Sequence, residues 1–388
     1  MKHENREHAL LSASGANRWL NCTPSARLED EYGEKKSSEF AAEGTLAHEL
    51  AECILRDELF GQKDEDSFDR ITSDKLYTNS MRDFVEVYTD YCISIYAQAL
   101  SSNPDAVARI EQKLDLSAYV PESFGTADFC LVSDGTLEVV DLKFGRGIRV
   151  SAENNTQLML YGLGALYSFD SAYDISNVKL TIVQPRLDNI STWEISVEDL
   201  KEWANSVLVE KAKAAYDGRG ELNPGAWCQF CAIKNRCRKL AEEQMEMAKK
   251  EFAKPALLTD EEISEIITKT PRLVEWANSV VEYATRLSSD SGKSWPGLKL
   301  VEGRSLSKWK SEKDVVEALK DAMPELTDDE IFNVKLKSIT DIKKMLGKVK
   351  FNYYLSNLVI KPQGKPTLVP ESDNRPAIGL EQAIKDFS

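Results

Sequence analysis

Two apolar, β-branched runs, Ala127 to Val132 and Leu137 to Leu142, are separated by Ser133-Asp134-Gly135-Thr136. An Asp-Gly pair in that setting is a strong short-range hairpin signal, and it predicts two antiparallel strands joined by a tight turn. Asp128 opens the first strand. Asp141 and Lys143 close the second, two apart and therefore on one face. The start of one hairpin strand lies beside the end of the next, so two carboxylates and a lysine converge at one end of a sheet. That is the chemistry of a metal-dependent hydrolytic site.

The flanking periodicities surround this hairpin with helices. Glu43 to Leu59 carries Leu46, Leu50 and Ile54 at helical spacing and puts His48 and Glu52 on one face at i, i+4. Gln62 to Ser73 is polar and acidic and reads as a loop, and Leu76 to Leu100 as a second long helix. From Arg109 the period becomes two, with Ile110, Gln112, Leu114 and Leu116 alternating against Glu111, Lys113 and Asp115. A helix over Glu153–Phe169, strands over Val178–Val183 and Ser191–Ile195, and a helix over Val197–Tyr216 complete an α/β layer with a central mixed sheet flanked by helices.

Arg238 to Phe252 reads as a charged helix, and Ala253-Lys254-Pro255 as a boundary. The expected organisation is thus a first domain over residues 1–252 and a mainly helical accessory region over 253–388. Asp260 to Leu287 is helical by pattern, Ser288 to Gly292 a connector, and Lys361 to Pro376 an extended, proline-punctuated stretch.

A chain of 388 residues, 42% hydrophobic and 29% charged, builds a real core in each of two domains. No apolar run is long enough to span a bilayer, and the first seven residues lack the apolar stretch of a secretory signal, so a cytoplasmic location is expected. A net charge of −15 excludes a broadly basic surface but leaves room for a local nucleic-acid groove.

Three features add to the acidic hairpin. His48 is one of three histidines, and the other two fall within the first eight residues. Gln157 and Tyr161 stand at i, i+4 on the helix after the hairpin and project together. Lys143, Arg146 and Arg149 form a basic arm suited to phosphates. Carboxylates suit a hard divalent cation, and a histidine among them shifts the preference toward manganese. Glu111 and Glu52 are auxiliary acids whose expected role is structural or in support of the ligands.

Seven cysteines with uneven spacing do not form a secreted disulfide framework. Cys228-Gln229-Phe230-Cys231 and Cys237 give three soft ligands, whereas a closed site needs four. Cys53, Cys92 and Cys130 sit inside apolar patterns, which leaves Cys22 as the remaining candidate. Spacing alone admits zinc or an iron–sulfur cluster.

Taken in order, Gly44-Thr45-x-x-His48-x-x-x-Glu52, Gly125-Thr126-Ala127-Asp128, Asp141-Leu142-Lys143 and Gln157-x-x-x-Tyr161 resemble the motif series of the PD-(D/E)XK nucleases of the RecB-like branch. The lone early cysteine with a late C-x2-C-x5-C is similar to that branch's iron–sulfur members, the AddB-type and CRISPR-adaptation exonucleases. The whole chain resembles a nuclease family of bacteriophage and prophage replication modules. The resemblance implies a restriction-endonuclease-like core and a Mg2+- or Mn2+-dependent exonuclease acting on DNA ends in the host cytoplasm. It implies that His48, Asp128, Asp141 and the Leu142 carbonyl hold the metal, that Lys143 is the catalytic lysine, and that Gln157 and Tyr161 orient the phosphate. It further implies that Cys22, Cys228, Cys231 and Cys237 hold a structural [4Fe–4S] cluster joining the two ends of the first domain.

Lys335 to Lys365 holds eight lysines against one acid, Asp341, with Phe351, Tyr353 and Tyr354 interleaved. The aromatics of this stretch would stack on DNA bases, though a lysine-rich solvated helix face gives the same pattern. The C-terminal third as a whole would guide DNA, bind a recombinase or single-strand-binding protein, or mediate oligomerisation. Two further readings fit the nuclease-like motifs as a whole. One is a structure-specific flap endonuclease, the other a noncatalytic DNA-binding scaffold.

Overall fold

The computed structural model describes residues 9–33, 39–145, 147–169, 173–250, 260–301, 311–323 and 339–359. The chain divides into two compact units, Met1–Ala256 and Leu257–Ser388.

The first unit begins with two short helices, α1 (Ala16–Asn21) and α2 (Ser25–Tyr32), then α3 (Glu39–Phe60), α4 (Glu65–Thr72) and α5 (Asn79–Ser102). Thr78 caps α5 by accepting from the Met81 amide, and Met81, Val85, Tyr88 and Cys92 recur on its buried face. Helix α4 replaces the loop expected over Gln62–Ser73. Asp64 caps it by accepting from the Ser67 amide, Glu65 and Asp66 favour its positive end, and Ile71 is fully buried. Its acidic first turn masks a helix anchored by Ile71 and the partly buried Phe68.

Five strands follow: β1 (Val107–Asp115), β2 (Phe124–Ser133), β3 (Thr136–Leu142), β4 (Asn177–Gln184) and β5 (Asn189–Ser196), lying side by side in sequence order. All neighbours are antiparallel except β3 and β4, which are parallel and joined by the crossover helix α6 (Thr156–Phe169). The mixed sheet flanked by helices is the expected fold class. The β2–β3 turn has Asp134 at φ 48° and Gly135 at φ 73°, the left-handed pair of a two-residue hairpin. A helical run from α7 (Val197–Trp203) through a π turn (Ala204–Leu208) to α8 (Val209–Tyr216) closes the layer.

Two apolar cores lie on the sheet's two faces. One packs α6, α1 and the α7–α8 run against Leu137, Val139, Leu180 and Ile182. The other packs α3 and α5 against Phe129, Leu131, Val140 and Leu142. Strands β1 and β2 change faces partway along. Ala108 and Ile110 enter the α3–α5 core, whereas Leu114 and Leu116, at the same parity, enter the α6 core. Phe129 and Ala127 split in the same way. Alternation in an unbroken strand forbids this. The switch falls at Glu111, a non-glycine residue at φ 48°, and at Asp128 opposite it. The result is a notch between β1–β2 and the end of β3.

A lacing of hydrogen bonds joins the start of this unit to its end. Thr23 Oγ1 donates to the Arg219 carbonyl at 2.6 Å, Asn223 Nδ2 to the Asn21 carbonyl at 3.0 Å, and the Ala232 amide to Glu29 at 2.6 Å. Helix α9 (Arg238–Lys250) follows.

Among its described residues the second unit has four α-helices, α10 (Asp260–Ser291), α11 (Glu312–Ala322), α12 (Ile339–Leu346) and α13 (Lys348–Leu355), with irregular chain over residues 292–301. The connector expected at Ser288–Gly292 is mostly the last turn of α10. Phe351 is buried at 6% exposure, so it does not join the base-stacking set expected of it. Tyr353 and Tyr354 are exposed, their rings edge-to-face at 4.8 Å. Lys335, Lys337 and the stretch Lys361–Pro376 lie outside the described residues. Among the described residues no helix is long and apolar enough to cross a membrane.

Candidate metal centre

The notch collects side chains from both faces of the sheet. From the α3 side, His48 Nδ1 lies 3.3 Å from Asp128 Oδ1, its ring still one-third exposed. The other Asp128 oxygen accepts the Leu142 amide at 2.7 Å. Glu111 completes a set in which one ligand atom each from His48, Glu111 and Asp128 lie within 4.8 Å of one another. Glu111 thus stands among the candidate ligands, nearer than the structural or supporting role expected of it. A strand-alternation pattern hides it, because it places Glu111 on the solvated face and contains no sign of the left-handed turn.

From the α6 side, Gln157 organises the rest. Its Oε1 accepts from Lys143 Nζ at 2.9 Å, and its Nε2 donates to Asp141 Oδ1 at 3.1 Å and to the Tyr161 hydroxyl at 3.2 Å. Lys143 Nζ also pairs with Asp141 Oδ2 at 2.7 Å. The i, i+4 spacing of Gln157 and Tyr161 makes this double reach geometrically simple. Gly125 lets the Tyr161 ring sit close, since a Cβ there would meet Tyr161 Cε1 at 3.0 Å. Glu52 instead pairs with Arg56 at 2.8 Å. Arg149 donates to the Leu187 and Asp188 carbonyls, so its guanidinium caps a turn rather than reaching for phosphates, and Arg146 lies outside the described residues.

The electrostatics follow from three acids around one small space. Burial opposes the charged form of His48, but Asp128 prevails and raises the imidazole pKa to about 9. Burial also acts against the charge of Asp128, yet His48, the Leu142 amide and Lys143 hold its carboxyl below the usual range. Asp141, buried at 3% exposure and repelled by Asp128, is pushed up despite Lys143. Burial and Asp128 push Glu111 up to about 7. These carboxyls oppose one another's ionisation in the metal-free chain.

The donor set fits a divalent cation. An imidazole and several carboxylates are the ligands of magnesium- and manganese-class ions. Asp141 Oδ2 is buried and has the Lys143 ammonium at 2.7 Å as its charged neighbour, so the lysine and a cation would share this carboxylate. The Asp128–Asp141–Glu111 repulsion is what a bound cation relieves.

The cysteines form a second group. Cys22, Cys228, Cys231 and Cys237 line one pocket with Arg18 and Lys234, between α1 and the segment before α9. Cys22 is buried, and burial pushes the Cys231 thiol up to about 12. Among the described residues, the 4.8 Å ligand grouping comprises only His48, Glu111 and Asp128, so no three of these sulfurs crowd as tightly as that. Tetrahedral zinc, with Zn–S near 2.3 Å, would draw its sulfurs to about 3.8 Å apart.

Comparison with known proteins places these sites in context. The chain is similar to the crystal structure of SSO0001 at 16% identity, over 61% of this chain and 89% of that one, with a TM-score of 0.28. It is similar to a crystal structure described as a "putative exonuclease" from Eubacterium rectale at 11% identity, over 67% of this chain and 96% of that one, with a TM-score of 0.34. Neither likeness is close enough to bear on the chemistry. The model of DUF2800, described as a protein of unknown function, matches residues 8–376. With nearly its whole length matched, the chain belongs to the DUF2800 family.

Proposed function

We propose that this protein is a Mg2+- or Mn2+-dependent deoxyribonuclease that hydrolyses phosphodiester bonds at DNA ends, as an exonuclease of phage recombination or replication. The observation that carries this is the meeting of His48, Glu111 and Asp128 within 4.8 Å, next to an Asp141–Lys143–Gln157 cluster reached from the opposite face. The motif resemblance to RecB-like PD-(D/E)XK nucleases supplies DNA as the substrate class.

His48, Asp128, Asp141 and the Leu142 carbonyl would hold the cation, with Glu111 joining them. A divalent cation in that position lowers the pKa of water and neutralises charge developing on a phosphoryl group. Lys143, fixed between Asp141 and Gln157, holds an ammonium proton donor beside that space and stabilises the oxygens of the transition state. Gln157 locks lysine and aspartate together. The Tyr161 oxygen accepts from Gln157, which leaves its own proton to orient a phosphate oxygen.

The gathering of Cys22, Cys228, Cys231 and Cys237 in one pocket, together with the motif resemblance, supports a structural [4Fe–4S] cluster, with zinc as the chemical alternative. Its thiolates would tie Cys22, at the end of α1, to the segment preceding α9.

The test is digestion of end-labelled single- and double-stranded linear DNA with magnesium or manganese. The expected result is metal-dependent release of nucleotides that Lys143→Ala abolishes. No cleavage with either metal, or equal cleavage by Lys143→Ala, overturns the reading. A circular single-stranded substrate stays intact with an exonuclease and is cut by an endonuclease.

A further inference from the structure

We propose that Arg186 is a positioning residue for this metal centre, acting through a buried latch to Glu43 that sets His48 and Lys143 relative to each other. The proposal rests on the metal-nuclease reading above.

Arg186 follows Pro185 in the turn after β4, and its side chain is only 6% exposed. Its guanidinium grips both oxygens of Glu43, with Nη1 donating to Oε2 at 3.0 Å and Nη2 to Oε1. The same guanidinium lies 3.9 Å from the ring centroid of Phe144 and 5.9 Å from that of Phe84. Glu43 stands on α3 five residues before His48, and Phe144 immediately follows Lys143. One side chain therefore ties the histidine-bearing helix, the residue next to the lysine, and α5.

Why the centre needs such a latch follows from how α3 is held. Leu46, Leu50 and Leu55 pack it onto the core with α5, but apolar packing is nondirectional and leaves sliding and rotation soft. A forked ion pair is directional in two dimensions, and stacking on Phe144 fixes the third. The Lys143 amide already donates to the Val183 carbonyl at 2.9 Å, so the strand ends beneath are rigid. Only the helix across the notch needs to be indexed to them. A ligand atom displaced by even about an ångström loses coordination or reactivity. Lysine cannot substitute, because it offers neither the fork nor the flat face.

The experiment uses the full chain and the variants Arg186→Gln, Arg186→Lys and Glu43→Gln. Manganese affinity is read from loss of the free-ion EPR signal, together with kcat and KM for DNA and the thermal midpoint; His48→Ala serves as the ligand control. The expected result is a cooperative melt in every variant and manganese affinity weakened roughly 10- to 100-fold, as when groups supporting metal ligands are removed. Excess manganese restores kcat to the latch variants but not to His48→Ala. Should Arg186→Gln be too unstable to purify, Glu43→Gln, which keeps an acceptor oxygen, carries the test. Wild-type manganese affinity in folded latch variants overturns the proposal and leaves the nuclease reading intact. Failure of the wild type itself to bind manganese, or an unchanged affinity in His48→Ala, overturns both.

Discussion

Glu111 faces Asp128 across β1 and β2, at the one register position between the Ile110–Phe129 and Gln112–Ala127 pairs, and it does so in a left-handed conformation at φ 48°. The kink turns both strands from one core to the other and opens the notch in which the acids meet. A bulky residue held there stores on the order of 1–3 kcal/mol of strain. The site is therefore built at the expense of the strand.

Replacing that residue separates strain from function. Glu111→Asn keeps a side chain that tolerates the left-handed region and removes a buried acid. It is expected to raise the stability of the metal-free protein by about 1 kcal/mol at pH 8. Manganese affinity should fall roughly tenfold or more, in line with the loss of a group that serves a metal site. Denaturant melts and calorimetric titration read the two changes. Movement of both in the same direction contradicts the assignment.

The metal-free protein should weaken as pH rises. Glu111, raised to about 7, and His48, raised to about 9, both favour their protonated forms in the folded state. The destabilisation from Glu111 grows from its unfolded value near 4.5 up to about 7. The His48 contribution is fully present below its unfolded value near 6.5 and is lost as pH rises through about 9. Thermal midpoints measured in a chelator from pH 5 to 9.5 should decline, and His48→Gln should flatten the upper half of the curve.

Gln157→Ala should lower kcat about 100-fold or more, the scale of removing a preorganised polar group, with little change in KM. It frees Lys143 and Asp141 together, since one amide holds both. Tyr161→Phe keeps the ring beneath Gly125 and loses only the hydroxyl, so a smaller effect is expected. Steady-state kinetics on linear DNA distinguish them. Equal effects would mean that Gln157 acts only by orienting Tyr161.

Cys22→Ser and Cys237→Ser should each abolish the visible absorbance of an anaerobically prepared protein and expose residues 9–33 to proteolysis. Cys53→Ser, whose thiol lies among α3–α5 residues, should leave the spectrum unchanged. A colourless, zinc-loaded wild type contradicts the iron–sulfur assignment.

The hairpin, the crossover helix and the mixed sheet were legible because each rests on a local signal: an Asp-Gly turn, a period of two, a period of 3.6. The convergence of Asp128, Asp141, Lys143 and Gln157 was legible for the same reason, being fixed by one hairpin and the next helix. Glu111 was not, because a left-handed residue inside a strand leaves no trace in alternation. Arg186 and Glu43, 143 positions apart, carry no periodic or motif signal and become partners only when β4 ends beside α3. Helix α4 was obscured by its charge, and Phe351 was misread because aromatic composition does not reveal which ring a small helical unit buries.

The central claim is that the notch binds a catalytic divalent cation. Calorimetric titration of manganese into the wild type and Asp128→Asn tests it most directly. Saturable binding that Asp128→Asn abolishes, and that Glu52→Gln leaves unchanged, is the predicted result. Equal binding by wild type and Asp128→Asn, or none by either, contradicts it.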